Sequence, residues 1–369
     1  MNTNLDTNLV RLIEEKLEDA LRKRGRVNIL IAGKTGVGKS TLINAVFQGD
    51  LATTGQGRPV TPNTREIKKE GIPVSIFDTR GLELEKFQET LSELTDFLDE
   101  RGRQKDPNEH IHCAWLCISQ DSSRVEEAEE KLCKTLSQRM PVIVVITKAD
   151  KENGFRAVVQ GMLPEAVNVV EVIAKEQAYV GGHKMEPRGL KELVNLTMDV
   201  VPQGQKNAFA AAQKVVLRQK QDRSHLIVAA AAISAAGIGA VPIPFADAIL
   251  LVPVQISMLS GITATFGIPS STAFLTTLVS STVAGSAGTI GGRALVGALL
   301  LLIPGAGVIL KGVISGATGA IFTTAFGEAY IAALSVLIEK DPNKPPTAGD
   351  IANQLKEEFT KRNPFGRKD

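Results

Sequence analysis

The chain has 369 residues, with 42 Lys and Arg against 40 Asp and Glu, for a net charge of +2. That length accommodates two domains or more, each able to bury its own core, and the near balance of charge removes the electrostatic case for a nucleic-acid binder. Three cysteines, Cys113, Cys117 and Cys133, cannot all pair and lie in apolar or helical stretches, so reduced thiols are expected. The charged N-terminus has no apolar run of the kind a secretory signal needs.

Leu5, Leu9, Leu12, Ile13, Leu17 and Leu21 fall at helical spacing and predict an amphipathic helix over 1–25, stopped near Gly25. Apolar strands are then expected at 27–33, 74–78, 111–119, 141–150 and 167–174. Helices are expected from Lys39 to Phe47, Glu83 to Glu100, Arg124 to Gln138, and Gly189 to Val200. Apolar strands alternating with helices imply an α/β domain over 26–202, with a mostly parallel sheet covered on both faces. Composition then changes: from Leu226 to Ile338 only Asp247, Arg293, Lys311 and Glu328 are charged. Residues 203–340 therefore read as an all-α, Ala/Gly-rich hydrophobic domain, and 341–369 as a mobile polar tail.

The chemistry begins at Gly33-Lys34-Thr35-Gly36-Val37-Gly38-Lys39-Ser40-Thr41. A strand precedes this run and a helix follows it, which is the context a phosphate-binding P-loop requires. The glycines let backbone N–H groups face phosphates at the positive end of the helix. Lys39 would reach the β- and γ-phosphates, and the Ser40 hydroxyl would bind Mg²⁺. Asp78-Thr79-Arg80-Gly81 follows the second strand. Its Asp78 would hold Mg²⁺ through water, and the Gly81 N–H would sense the γ-phosphate. Thr147-Lys148-Ala149-Asp150 ends a later strand. One carboxylate at Asp150 accepts from both N1–H and N2–H of guanine, a donor pair adenine lacks, and the Lys148 stem lies along the base. GTP is therefore the expected nucleotide. His110, His112 and Cys113 form no metal cluster on this reading, because strand alternation sends His112 and Cys113 to opposite faces. They and Trp115 are expected in the core.

These motifs resemble the first, third and fourth motifs of the Era/TrmE-like GTPases, and the resemblance covers residues 26–200. It implies a three-layer P-loop GTPase domain that hydrolyses GTP with Mg²⁺. Ala174-Lys175 is similar to the family's fifth motif, which meets guanine O6. Thr64 stands before an Arg, as does the family's Mg²⁺-binding switch-I threonine, with Thr61 as the other choice. Thr147 replaces the usual Asn, so a bracing amide is lost. Leu82 occupies the place where Ras-like GTPases keep a water-orienting glutamine, and Gly36 replaces the Asn that holds potassium in some relatives. The missing catalytic element must come from another switch side chain, a partner or a second copy of the chain. Arg58, Arg65 and Arg80 are the candidates within it.

Leu226–Ile243, Phe245–Gly267 and Ser270–Gly292 are long enough to matter to a bilayer. Lys214, Arg218, Lys220 and Arg223 flank the first and would favour a cytoplasmic surface. A soluble bundle with an Ala/Gly-rich core is the other reading. Pro242-Ile243-Pro244-Phe245-Ala246-Asp247 and the helix after it resemble the C-terminal domain of unknown function in YcjF-type bacterial GTPases, over roughly 205–340. That resemblance implies an inner-membrane or envelope link. Asp247 is then either a helix N-terminal group or an intramembrane carboxylate. The expectation is a GTP-dependent switch on the cytoplasmic side of a membrane, with a lipid bilayer or membrane protein as partner, completed by dimerisation through the G domains. A cytosolic Era-like GTPase of ribosome or RNA assembly and a GTP-binding scaffold with negligible turnover are the alternatives.

Overall fold

The computed structural model describes residues 3–54, 56–79, 87–151, 153–178, 184–238, 247–269, 271–284, 316–342 and 344–361. In chain order they form α1 (Thr3–Arg24), β1 (Val27–Ala32), α2 (Lys39–Val46), α3 (Leu51–Thr54), β2 (Gln56–Thr61), β3 (Thr64–Lys68) and β4 (Val74–Thr79). Next come α4 (Phe87–Gly102), β5 (Cys113–Ser119), α5 (Glu127–Ser137), β6 (Val142–Thr147), α6 (Phe155–Met162), β7 (Asn168–Val172), a short β8/β9 ladder (Gln177–Ala178, Lys184–Met185) and α7 (Leu190–Val200). The remainder is helical: α8 (Lys206–Ala212), α9 (Leu217–Ile238), α10 (Asp247–Phe266), α11 (Thr272–Ala284), α12 (Gly316–Lys340) and α13 (Ala348–Lys361). Asp247 is the first residue of α10.

Two compact units result, residues 25–216 and residues 1–24 with 217–369. The first is built on one seven-stranded sheet of order β2-β3-β4-β1-β5-β6-β7. β4, β1, β5, β6 and β7 are parallel, and every residue of β1, β4, β5 and β6 is buried. That is why these segments read as unbroken apolar runs rather than alternating ones. Helices pack on both faces, giving two separate cores on the two sides of the sheet.

The antiparallel strands β2 and β3 were not foreseen. Thr61 and Thr64 close a hairpin over Pro62-Asn63, and β3 pairs antiparallel with β4. Pro59 hides the signal in sequence, yet it is tolerated because β2 is an edge strand with a register shift between Pro59 and Thr61. Helix α6 was also unassigned. Gly154 at φ 72° turns the chain, the Asn153 carboxamide oxygen accepts from the Phe155 N–H at 3.2 Å, and Phe155 and Val159 are buried one turn apart.

Residues 203–216 belong to this sheet unit rather than to the apolar domain. Phe209 is buried edge-on against Phe47, which stacks on Trp115 at 5.7 Å. The Lys214 N–H donates to the Val46 carbonyl at 2.9 Å. Trp115 is fully buried and its Nε1–H donates to Thr197 Oγ1 at 3.1 Å. His112 is buried too: its Nδ1 accepts the Asn28 N–H and its Nε2 meets the Pro107 carbonyl, both at 2.9 Å. Among the described residues no group of three or more His, Cys, Asp or Glu is placed to hold a metal.

In the second unit, α9, α10 and α12 pack together, α1 lies on α10 and α11, and α13 closes over α11 and α12. The core includes Ile13, Leu17, Val228, Ile256, Ile262, Phe326 and Tyr330. The expected polar tail is corrected: Ile351, Leu355 and Phe359 are buried along one face of α13, and Phe359 packs edge-on against Phe322 and Phe326. Its polar composition reflects the exposed face alone. Among the described residues one helix, Gly319–Lys340, is long and apolar enough to cross a membrane, with 56% of its apolar window buried inside the unit.

Candidate functional site

The sheet brings the three motif segments to the C-terminal ends of β1, β4 and β6, the edge at which open α/β sheets bind ligands. After Ala32 the chain turns through Gly33 (φ 139°), Gly36 (φ 79°) and Gly38 (φ 99°) into α2. A Cβ at Gly33 would collide with the Cys117 carbonyl, so the loop lies against β5 only because that residue is glycine. Among the described residues no side chain caps the N-terminus of α2, and uncapped N–H groups at a helix start suit an anion. The Lys39 ammonium donates to the carbonyls of Gly33 (2.5 Å) and Lys34 (3.0 Å), spanning the loop. Thr35, Gly36 and Ser40 are exposed, Gly33 and Val37 buried, and Lys34 and Thr41 partly buried.

Lys34 also forms an ion pair with Glu126 at 2.5 Å. That hydrogen bond holds the Glu126 carboxyl below the usual range. Glu126 starts α5 through a reciprocal capping box with Glu129, so the P-loop is tied to a helix whose own start depends on the same side chain.

β1 and β4 pair so that Ile31 faces Asp78. Asp78 is 4% exposed. Its Oδ2 accepts from Arg65 Nε and Nη2, both at 3.1 Å, while Oδ1 is buried with no hydrogen-bond partner among the described residues. A buried bare carboxylate oxygen at the phosphate end of the sheet fits a water ligand of Mg²⁺. Thr64, the preferred switch-I threonine, is buried and pairs with Thr79 beside Asp78; Thr61 opposes Thr64 and is half-buried. Arg58 is exposed on β2. Arg80, Gly81 and Leu82 lie outside the described residues.

Thr147 ends β6, and its hydroxyl donates to the Val37 carbonyl at 2.6 Å, with the Ile118 carbonyl at 3.3 Å. The amide is absent, as expected from Thr147, but its hydroxyl supplies one donor where an amide carries two, and that donor joins the Thr147–Asp150 turn to the P-loop. Lys148 adopts φ 53° and pairs with Asp121 at 3.0 Å; Asp150 is half-buried. Ala174 and Lys175 follow β7 directly, where the Val172 carbonyl accepts the Ala149 N–H at 3.3 Å, so the fifth-motif candidate adjoins the fourth.

Two supporting residues carried no motif signal. Gln120 holds the Lys151 backbone from both sides, Nε2 donating to its carbonyl (2.7 Å) and Oε1 accepting its N–H (2.9 Å). Arg188 donates to the Ala149 carbonyl at 2.5 Å and exchanges backbone hydrogen bonds with Ile173. Both lie far in sequence from the loop they brace, so no local pattern announces them.

Residues 28–148 match the family described as 50S ribosome-binding GTPase, and residues 203–361 match the domain of unknown function DUF697. The tRNA modification GTPase MnmE of Herminiimonas arsenicoxydans is 29% identical over 181 residues, covering 45% of this chain and 34% of that protein. MnmE of Baumannia cicadellinicola is 34% identical over 137 residues, 34% of this chain and 28% of that one. Cell division control protein 10 of Candida albicans is 30% identical over 165 residues, 37% and 46% of the two chains. The chain thus spans less than half the length of these relatives. The cytosolic domain of the T. maritima FeoB iron transporter in its GMPPNP form aligns at 20% identity over 47% of this chain and 63% of that one, with a TM-score of 0.31, too low to carry a structural argument.

Proposed function

Because this chain joins a P-loop GTPase domain to a DUF697 domain, we propose that it is a GTP-hydrolysing switch acting at the cytoplasmic face of a membrane. The observation that carries the nucleotide half is the junction of three motif segments at one sheet edge, closed by the Thr147 hydroxyl on the Val37 carbonyl.

In this reading the N–H groups of Gly33–Thr41 and the Lys39 ammonium hold the phosphates. Lys39 exchanges its carbonyl partners for phosphate oxygens. Thr147, Lys148 and Asp150 bind guanine, with Ala174 and Lys175 beside it. Ser40 and Thr64 would ligate Mg²⁺ directly and Asp78 through water; the metal, when bound, neutralises charge on the β- and γ-phosphate oxygens. Gly81 would report the γ-phosphate to residues 79–90, and Thr64 would draw on residues 52–70. Leu82 cannot orient water, so low intrinsic turnover is expected, raised by a second G domain or a partner. Turnover per molecule that stays constant as protein concentration rises would argue against completion by dimerisation.

The membrane half rests on the near absence of charge from 226 to 338. The competing reading, a soluble GTPase of ribosome assembly, draws support from the ribosome-binding description of the matched family. Flotation of the full chain with vesicles, set beside cosedimentation with 50S subunits, each with GDP and with a non-hydrolysable GTP analogue, separates the two.

A further inference from the structure

Four contacts set α9 and α12 antiparallel. Gln221 donates to Ser335 at 2.9 Å, His225 meets Glu328 at 2.9 Å, Gly327 faces Val228, and Gly319 faces the Ala235 carbonyl. The His225–Glu328 pair divides the exposed surface of these helices. On one side the exposed α9 positions are Arg218, Asp222 and His225, level with Glu339 and Lys340 of α12. On the other side they are Leu226, Ala229, Ala230, Ile233, Ser234 and Gly237, at helical spacing along one face. Leu226 is 59% and Ile233 74% exposed, and Ile321 of α12, on the same side, is 50% exposed. α12 carries no charge between Gly316 and Glu328.

The ends of the chain segments fall on that same side. α10 begins there, since Leu251 approaches Gly319, while its other end reaches Lys220 through the Phe266 carbonyl at 3.1 Å. So Ile238, Asp247 and Gly316 all stand at the end of the unit opposite Lys220 and Glu339. The chain between Ile238 and Asp247 has no charged residue, and the 31 residues leading into Gly316 from position 285 have two, Arg293 and Lys311. An exposed apolar helix face, next to chain that carries two charged residues in 39, is what a bilayer surface accommodates and water does not.

We propose that the α9–α12 face beyond the His225–Glu328 pair, centred on Leu226, Ile233 and Ile321, is the surface by which this chain docks on lipid. It rests on the membrane reading above and gives that reading an orientation. The bilayer meets the end where α9 finishes and α12 starts, and the charged end holding Arg218, Asp222, Glu339 and Lys340 stays in water. Val336, 42% exposed on the charged side of the pair, stays in water with it.

The test uses the full chain and vesicles of phosphatidylethanolamine and phosphatidylglycerol. Leu226→Glu/Ile233→Glu should lower the vesicle-bound fraction by about tenfold or more with GTP turnover and thermal melting unchanged, whereas Val336→Glu should leave binding intact. An environment-sensitive dye on Ile233→Cys should brighten and shift to the blue on vesicle addition, and the same dye on Val336→Cys should not; the three native cysteines are buried and should not compete for it. Wild-type flotation with both variants equally bound, or equal dye responses, overturns the docking face while leaving membrane association standing. No wild-type flotation removes the membrane reading itself. Loss of a homodimer by the double Glu variant, without vesicle binding by wild type, assigns the face to a second copy instead.

Discussion

Arg65 holds Asp78 by two nitrogens on a single oxygen, Nε and Nη2 each 3.1 Å from Oδ2. The contact ties the β2–β3 hairpin, through one side chain, to the carboxylate proposed to hold Mg²⁺ through water. A cation on Asp78 and hydrated Mg²⁺ beside it repel, so the two compete for the same carboxylate. Arg65→Ala should therefore lower the Mg²⁺ concentration needed for half-maximal GTP binding by about three- to tenfold, the worth of a half-exposed charge-assisted pair of roughly 1 kcal/mol. Titrating Mg²⁺ against a fluorescent GTP analogue checks it; an unchanged or higher requirement contradicts competition.

The Thr147 hydroxyl joins the Thr147–Asp150 turn to the P-loop by donating to the Val37 carbonyl at 2.6 Å. Thr147→Val keeps the shape and leaves the Val37 carbonyl without that donor, which should cost about 1–2 kcal/mol of GTP affinity. Thr147→Asn should restore or exceed the wild-type value because an amide supplies two donors. Isothermal titration with GTP and GDP distinguishes the outcomes.

Asp150→Asn removes the acceptor pair for guanine N1–H and N2–H. GTP affinity should fall by at least about a hundredfold, and xanthosine triphosphate, which offers a carbonyl at C2, should be preferred. Lys39→Ala should weaken both nucleotides by more than about tenfold. Retained GTP affinity in both variants would place the nucleotide elsewhere.

Lys220 is buried, and burial first, with the neighbouring Arg24 charge second, lowers its pKa from 10.5 to about 7. Between those values the unfolded chain holds a proton that the folded chain has released. Stability of the helical unit should thus rise with pH across that window, by up to about 1.4 kcal/mol per pH unit, and be lowest below pH 7, where folding must bury the ammonium. Lys220→Met should flatten the rise. Denaturant unfolding followed by far-ultraviolet circular dichroism at pH 7, 8 and 9, for both proteins, reads the difference.

Much of this molecule is legible in its sequence. The apolar runs at 27–33, 74–78 and 141–150 are strands buried on both faces, and burial on both faces is what makes a run continuous. The P-loop and Thr147–Asp150 are legible as motifs because each is a few consecutive residues, and in the first of them glycines stand where the backbone takes positive φ. α6 and the β2–β3 hairpin were not legible. Eight residues with two buried positions carry little periodicity, and Pro59 masks an edge strand.

What the sequence by itself determined is the set of local devices: a glycine-rich loop between β1 and α2, a carboxylate near a strand end, a Thr-Lys-Ala-Asp turn after β6, and a second half almost without charge. What only the tertiary structure decided is how they are held. Thr147 and Val37 are 110 residues apart, and Gln120 and Arg188 brace the segment after β6 from two separate connecting segments. α1 joined the helical unit, residues 203–216 joined the sheet, and the polar C-terminal segment became α13 with a buried face. Local devices are written in spacing because backbone geometry acts over a few residues; their supports depend on which distant side chains the folded chain brings within about 3 Å, and a linear pattern carries no record of that distance.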